Sequence, residues 1–463
     1  MDFSAANTAL WNIMIQFGIM AGVVLLANLL RRKIALVRNS LMPTAVLAGF
    51  LLLVLRNLGI LRIDTNVLEM ITYHGIAIGF IALSLRVPKA HSEAERGNMT
   101  ASKSGALIVS TYLVQGILGL AISLLLAYTI MPGLFKASGI LLPMGYGQGP
   151  GQANNVGSSY QALGFAGGRS FGLSIAAAGY MCACVVGVIY INILNRKGII
   201  KKSTQDEISG SVTVDTFQDE NEIPIAQSVD RFSMQVALVI LIYLLTYLVT
   251  LGLTSLCEST APGLAKTLSP LLWGFNFIVG SALAMGARAI LSAFKKTKIM
   301  TRQYQNNYLL SRISGLAFDA MIVAGIASIN IEDLTGLWLP FILMAILGGI
   351  VTLIYLKWLC KKLYPNYYYE GLTSMYGMLT GTISSGVLLL RELDPEFTTP
   401  AANNLISGSS FAILFGAPML LLIGIAPNSD LMTFVVMGLL IAYLVLLLLF
   451  MVKVKRKKTR INE

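Results

Sequence analysis

The stretch that decides the fold is Leu141–Ser159, which reads LLPMGYGQGPGQANNVGSS. Four glycines and a proline fall within residues 145–151, and an Asn-Asn pair follows at 154–155. Such a sequence disfavours a continuous helix, because glycine has high conformational freedom and proline lacks a backbone N–H. A second segment, 371–390, is also apolar yet rich in Gly, Ser and Thr. Both interrupted segments lie between longer apolar runs.

Those runs predict an all-α polytopic membrane protein. Of the 463 residues, 56% are hydrophobic and 12% charged, and the mean hydropathy is +0.73, far from soluble-domain values. A membrane span needs about 20 mostly apolar residues. Eleven transmembrane helices are predicted, at 8–30, 39–55, 67–85, 105–130, 170–194, 232–256, 268–292, 312–329, 336–357, 408–425 and 431–452. The first run lacks a basic segment and a cleavage pattern, so we expect a retained helix and not a signal peptide.

The distribution of basic residues predicts the orientation of these helices. The net charge is +12, and lysine and arginine concentrate in cytoplasmic loops of membrane proteins. With the N-terminus outside and the C-terminus inside, 28 of the 34 basic residues fall inside, five fall outside and Arg288 lies within a span. This excludes nucleic acid as the reason for the charge. The count holds only if 139–160 and 371–390 are re-entrant hairpins, the first entering from outside and the second from inside.

The order of segments predicts two halves related by inverted topology. Residues 1–194 form a first five-helix half with the hairpin 139–160, and residues 195–231 form a polar cytoplasmic linker. Residues 232–425 form a second five-helix half with the hairpin 371–390, and residues 426–463 add one helix and a basic cytoplasmic tail. QANNVGSSY at Gln152–Tyr160 is similar to AANNLISGSSF at Ala401–Phe411. An inverted repeat with interrupted helices is typical of secondary transporters.

The hairpins carry the candidate binding residues, because non-helical backbone at membrane depth must be buried or line a wet cavity. Free N–H groups at helix N-termini favour carboxylates, and free carbonyls favour Na⁺. The candidate substrate-binding residues are Gly145, Gly147, Gln148, Gly149, Gly151, Gln152, Asn154, Asn155, Thr380, Gly381, Thr382 and Arg391. The candidate Na⁺ ligands are Asp319, Gly377, Ser384, Ser385, Asn403 and Asn404. No metal site and no cofactor beyond the coupling ion is expected.

Several of these residues also have structural interpretations. Asp319 lies within a span, where it either binds a cation or proton, or pairs with Arg288 or Arg312. Arg391 either meets a substrate carboxylate or belongs to a solvated cytoplasmic cluster. We expect His74, the one histidine within a predicted span, to be a hydrogen-bonded packing residue. The small-residue pairs Gly75/Gly79 and Gly168/Gly172 predict close helix packing.

The motifs GYGQGPG with a following ANN, and YGMLTGTISSG with a following ANN, resemble the glutamate:sodium symporter family and its relatives that carry 2-hydroxycarboxylates. The resemblance extends to about residue 425. It implies a homodimer with a static scaffold and a moving core that holds both hairpins and works as an elevator-like carrier. The first tip departs from the Gly-Gly-His-Gly pattern of the glutamate carriers, since Tyr146 and Gln148 lie between its glycines.

The sequence as a whole predicts a transporter in the cell membrane and not an enzyme. The expected activity is Na⁺-coupled symport of a small organic anion, above all glutamate or a related acidic amino acid or dicarboxylate. Its expected partners are that solute, sodium ion, the bilayer and a second copy of the chain. One alternative is cation/proton antiport through Asp319. The other alternative is a membrane sensor or enzyme. The sequence argues against it, because it contains no nucleophile, nucleotide or metal motif.

Overall fold

A computed structural model describes residues 4, 7–39, 41–87, 98–199, 231–260, 269, 272–274, 276–300, 303–394 and 399–453. The predicted linker and basic tail lie outside these residues, apart from the ends of the helices that flank them. In chain order, the helices of the first half are α1 (Thr8–Lys33), α2 (Ala35–Asn39), α3 (Thr44–Asn57), α4 (Thr65–Leu85), α5 (Asn98–Thr129), α6 (Leu141–Tyr146), α7 (Pro150–Ala162) and α8 (Gly168–Arg196). Those of the remainder are α9 (Arg231–Thr260), α10 (Asn276–Lys296), α11 (Asn307–Ala327), α12 (Trp338–Leu363), α13 (Tyr368–Thr380), α14 (Ile383–Arg391), α15 (Ala401–Ile425) and α16 (Asp430–Lys453).

The all-α, multi-spanning class is confirmed. Among the described residues, 10 helices are long and apolar enough to cross a membrane. The span predicted at 39–55 is instead a shorter apolar helix, α3, of 14 residues. At about 1.5 Å per residue, α3 is roughly 21 Å long, less than the roughly 30 Å of a bilayer core. Pro43 limits its start, because the residue before a proline disfavours the helical conformation.

Contacts divide the chain into two compact units. Unit 1 comprises Met1–Leu30, Thr44–His91 and Gln205–Ser328, and unit 2 comprises Arg31–Pro43, Ser92–Thr204 and Ile329–Glu463. Each unit therefore takes helices from both predicted halves. Unit 1 holds most of α1 together with α3, α4, α9, α10 and α11, and unit 2 holds all the remaining helices.

Unit 1 is built around α4, which packs against α10 and α11. Its core includes Ile81 and Leu85 of α4 with Val239 of α9 and Leu310 of α11. The small residues of α4 permit the close approach that the sequence predicts: a Cβ on Gly75 would lie 3.0 Å from the Ala317 carbonyl oxygen. The helices of this unit thus pack through apolar side chains and a small-residue groove.

Unit 2 is built around α5, which packs against α12, α15 and α16 and is largely buried. Polar anchors tie its helices together: Tyr364 Oη donates to Ser104 Oγ at 2.8 Å, and Tyr160 Oη donates to the Ile423 carbonyl at 2.8 Å. The helix α8 lies against both α6 and α7, and it also contacts α13. A Cβ on Gly172 would lie 2.7 Å from the Ala153 carbonyl oxygen, so this predicted small-residue pair also serves close packing. Both interrupted segments belong to unit 2.

Candidate functional site at two helix interruptions

The first interruption lies between α6 and α7, within the predicted stretch. Hydrogen bonds of helical type continue as far as Gly149, whose N–H donates to the Gly145 carbonyl at 3.1 Å. Gly149 itself has φ 84° and ψ −174°, a conformation that residues with a side chain rarely adopt. Pro150 then occupies the first turn of α7, where its missing N–H and fixed φ are compatible with a helix start. The Gly-Pro pair therefore ends one helix and starts another.

The second interruption lies between α13 and α14. Thr380 ends α13, and Gly381 and Thr382 are non-helical, with φ −138° and −142°. The next helix begins at Ile383, and the Gly386 N–H donates to the Thr382 carbonyl at 3.0 Å. This interruption also falls within the stretch that the sequence predicts.

The two interruptions lie side by side. A Cβ placed on Gly149 would be 3.3 Å from Thr382 Cγ2 and 3.8 Å from the Gly381 carbonyl oxygen. Tyr180 of α8 contacts both of them: its hydroxyl is 3.7 Å from the Cβ position of Gly149, and its Cδ1 is 3.1 Å from that of Gly381. We call this meeting point the junction, formed by residues 147–149, residues 381–382 and Tyr180.

Four helix ends converge at the junction. The helices α7 and α14 begin there, and the N–H groups of their first turns have no partner within the helix. These N-termini carry partial positive charge, which favours an anion. The helices α6 and α13 end there, so that terminal carbonyl groups are close by. The junction thus offers donors and acceptors that belong to the backbone itself.

Buried polar atoms without hydrogen-bond partners lie at the second interruption and on the helices that begin at the junction. Gln152 is 1% exposed and both its Nε2 and its Oε1 lack a partner among the described residues. A hydrogen-bond partner among the described residues is also lacking for Asn154 Oδ1, Thr382 Oγ1 and Ser385 Oγ. The Ser385 hydroxyl lies 2.8 Å from the Cβ position of Gly381. Because a buried polar atom without a partner costs about 1–3 kcal/mol, each of these atoms is a candidate to bind a ligand, an ion or a water molecule.

Three of the predicted glycines serve packing near the junction. A Cβ on Gly145 would lie 2.7 Å from the backbone nitrogen of Ala176, and one on Gly147 would overlap the Tyr112 ring. A Cβ on Gly377 would lie 2.9 Å from Gly386 Cα, so the two arms of the second segment are in close contact. These glycines hold the helices near enough for the two interruptions to meet.

The remaining predicted residues differ in their burial and in their hydrogen bonds. Gly151 and Asn155 are buried in α7, and Gln148 is partly buried at the interruption. Thr380 Oγ1 donates to the Tyr376 carbonyl at 2.7 Å, and Asn404 Nδ2 donates to Tyr367 Oη at 2.7 Å. The side chains of Ser384 and Asn403 lie outside the described part of the structure.

The structure does not bring Arg391 to the junction. It is exposed in the last turn of α14, eight residues beyond the first residue of that helix, or about 12 Å along its axis. Nearby, Asp394 accepts hydrogen bonds from the N–H and the hydroxyl of Thr399 at 2.8 and 2.6 Å. Arg391 is therefore exposed at the far end of α14 whereas Asp394 is buried, so the two do not form a uniformly solvated cluster.

Asp319 belongs to unit 1, whereas the junction and the other predicted Na⁺ ligands belong to unit 2. It forms no salt bridge with Arg288 or Arg312 among the described residues: Arg288 Nη1 donates to the Ser84 and Arg86 carbonyls, and Arg312 lies over the Tyr308 ring. His74 is hydrogen-bonded to Tyr243 Oη at 2.6 Å, as expected for a packing role.

Sequence reasoning missed the side chains that support the junction from other helices. Tyr180 gives only a weak signal, as a single tyrosine within the small-residue run AAAGYMCAC. Gln115 of α5 donates from Nε2 to the Leu379 carbonyl at 2.8 Å and to Thr352 Oγ1 at 2.9 Å, which fixes the end of α13 beside the junction. A glutamine in an otherwise apolar span is the one sequence signal that could have indicated it.

No protein-family model matches the chain, and a search of curated proteins finds no match either.

Proposed function

We propose that this chain is a Na⁺-coupled secondary transporter of a small organic anion, and that the junction is its binding site. The observation that carries the proposal is the meeting of two helix interruptions, at Gly149 and at Gly381–Thr382, within one compact unit. Interrupted helices that present their ends to a common point are the way in which membrane carriers bind anions and Na⁺ without exposing backbone to lipid.

The charge of the junction explains why an anion would need a cation. None of its described residues carries a basic side chain, and neither do Gln152, Asn154 and Ser385. Burying a carboxylate with dipoles alone is unfavourable, whereas an accompanying Na⁺ neutralises it. In this proposal the N-termini of α7 and α14 bind the carboxylate, and the Thr382 and Ser385 hydroxyls with nearby carbonyls bind Na⁺. Substrate and ion then bind together because each lowers the cost of burying the other.

We further propose that the two interrupted segments are re-entrant hairpins of an inverted repeat. Their component helices support this, since α6 has 6 residues, α7 and α13 have 13 each, and α14 has 9, all too short to cross a bilayer alone. The location of both in unit 2 supports the assignment of unit 2 as a moving core and of unit 1 as a scaffold. A homodimer in the cell membrane with an external N-terminus and a cytoplasmic C-terminus completes the proposal, as the sequence resemblance and the basic residues suggest.

Uptake into proteoliposomes tests this function. We expect labelled glutamate or a related dicarboxylate to accumulate under an inward Na⁺ gradient and not under an equal K⁺ gradient. The Ser385→Ala variant should raise the Na⁺ concentration needed for half-maximal uptake. Ser374→Ala is a matched control, because Ser374 is also buried in this segment but its hydroxyl donates to the Gly371 carbonyl. Accumulation of the solute that does not depend on Na⁺ would contradict the coupling.

Cation/proton antiport is the second candidate function. It is favoured by the absence, among the described residues, of an ion pair between Asp319 and Arg288 or Arg312. A carboxylate at membrane depth without a basic partner is a candidate proton carrier. In the same proteoliposomes, a Na⁺ gradient that changes internal pH without added solute would support antiport. Loss of that change in Asp319→Asn, with solute uptake intact, would assign it to this residue.

A further inference from the structure

Unit 1 contains a cavity of its own at the C-terminal end of α10. It has a volume of about 240 Å³, and ten residues line it, among them Val87, Arg288, Ser292, Lys295, Gln303 and Gln305. All ten belong to unit 1, so the cavity is separate from the junction of unit 2. We call it the α10 pocket.

The α10 pocket is positively charged. Arg288 and Lys295 both line it, and none of its ten lining residues is acidic. Arg288 is fixed in place, since its Nη1 donates to the Ser84 carbonyl at 3.1 Å and to the Arg86 carbonyl at 2.9 Å. Because these acceptors are neutral, and no described carboxylate pairs with Arg288, its charge is free to attract an anion.

A buried amide in the pocket lacks a partner. Gln305 is 4% exposed and its Nε2 has no hydrogen-bond acceptor among the described residues. The loop that carries it is ordered by side-chain bonds: Gln303 Nε2 donates to the Gln305 carbonyl at 3.0 Å, and Gln235 Nε2 donates to the Tyr304 carbonyl at 2.8 Å. An amide donor without a partner, in a pocket that two cationic side chains also line, matches the oxygen atoms of an anion.

We infer that the α10 pocket binds a phosphate group. Guanidinium and ammonium groups with an amide donor form charge-assisted hydrogen bonds to phosphate oxygens. The volume is about eight times the roughly 30 Å³ that one water molecule occupies in the liquid, which leaves room for a phosphate and the atoms attached to it. The pocket lies at the end of a helix that is long and apolar enough to span the membrane, where anionic lipid headgroups and dissolved phosphate are both within reach. The site does not depend on the proposed transport function.

Thermal unfolding of the purified protein, at constant ionic strength, tests this site and identifies the source of the phosphate. The ligands are dihexanoyl phosphatidylglycerol, dihexanoyl phosphatidylcholine and inorganic phosphate. We expect phosphatidylglycerol, inorganic phosphate or both to raise the unfolding temperature in a saturable manner, because ligands of the native state stabilise it. Stabilisation by phosphatidylglycerol alone identifies a lipid site, and stabilisation by inorganic phosphate identifies a site for the free ion.

Variants locate the effect in the α10 pocket. We expect Lys295→Gln to weaken the apparent affinity about three- to tenfold, because it removes one exposed charge-assisted contact. Gln305→Glu, of nearly equal shape, should weaken it further by adding a negative charge. Lys296→Gln is the matched control, since it removes the same charge from the neighbouring position, which does not line the cavity. No stabilisation by either anion, or affinities in Lys295→Gln and Gln305→Glu that equal the unmodified protein's, would overturn the inference.

Discussion

Replacement of Gly149 by alanine is the sharpest perturbation of the junction. Its φ of 84° makes any side chain strained, at a cost of about 1–2 kcal/mol. The added Cβ would also lie 3.3 Å from Thr382 Cγ2, below the roughly 3.5–4.0 Å at which carbon atoms attract each other best. The Thr382 side chain must therefore give way by a few tenths of an ångström, and we expect this to displace the helix ends from the positions at which they would bind a ligand.

Gly164→Ala is a matched control for the strain alone. Gly164 follows α7 in the same segment and has φ 103°, but nothing lies within 4 Å of its Cβ position. Both variants should therefore lose about 1–2 kcal/mol of stability, measured by thermal unfolding in detergent. Only Gly149→Ala should lose solute affinity, by at least about tenfold, which corresponds to about 1.4 kcal/mol of binding free energy.

The assays are Na⁺-dependent uptake into proteoliposomes and solute binding to the purified protein. Equal uptake and equal affinity in Gly149→Ala and Gly164→Ala would show that the close approach of the interruptions has no part in binding. A loss of uptake in both variants to the same extent would assign the effect to stability. Either result would refute the reasoning from the junction.

Three further predictions concern the supports of unit 2. Gln115→Leu removes the hydrogen bonds to the Leu379 carbonyl and to Thr352, so we expect a loss of about 1–3 kcal/mol in thermal unfolding and weaker solute binding. Gly157→Ala should be about 1–3 kcal/mol less stable than the control Gly286→Ala. The Cβ added at Gly157 would lie 2.6 Å from the Gly168 carbonyl oxygen, whereas a Cβ at Gly286 meets nothing within 4 Å. Equal unfolding temperatures of the two variants would contradict this packing. Hydrogen bonding to Asp430 raises the pKa of Lys136 above its usual value, so the contribution of their ion pair is present at neutral pH and is lost only as the pH rises through that raised pKa. Because Asp430 is largely exposed to solvent, this contribution is small, and Asp430→Asn should lower the unfolding temperature at pH 7 only slightly; a large drop would contradict this.

The helices and their interruptions are readable from the sequence because the physical causes are local. A run of about 20 apolar residues in lipid must satisfy its backbone within itself, which requires a helix. Gly149 and Pro150 are neighbours in sequence, and together they end one helix and start the next. The prediction of helix orientation is also local in this sense, because it needs only a count of basic residues along the chain. The class of the fold is therefore predicted from the sequence, and both interruptions lie within the predicted stretches.

Only the tertiary structure decides what surrounds each interruption. Gly149 and Gly381 are more than 200 residues apart, and their contact results from how α6, α7 and α13 pack against α8. Tyr180 reaches the junction from α8, and Gln115 of α5 binds the Leu379 carbonyl beside it. The assignment of Asp319 to unit 1 likewise depends on packing. Side-chain partners at such separations are fixed by the shapes of whole helices, which no local pattern encodes.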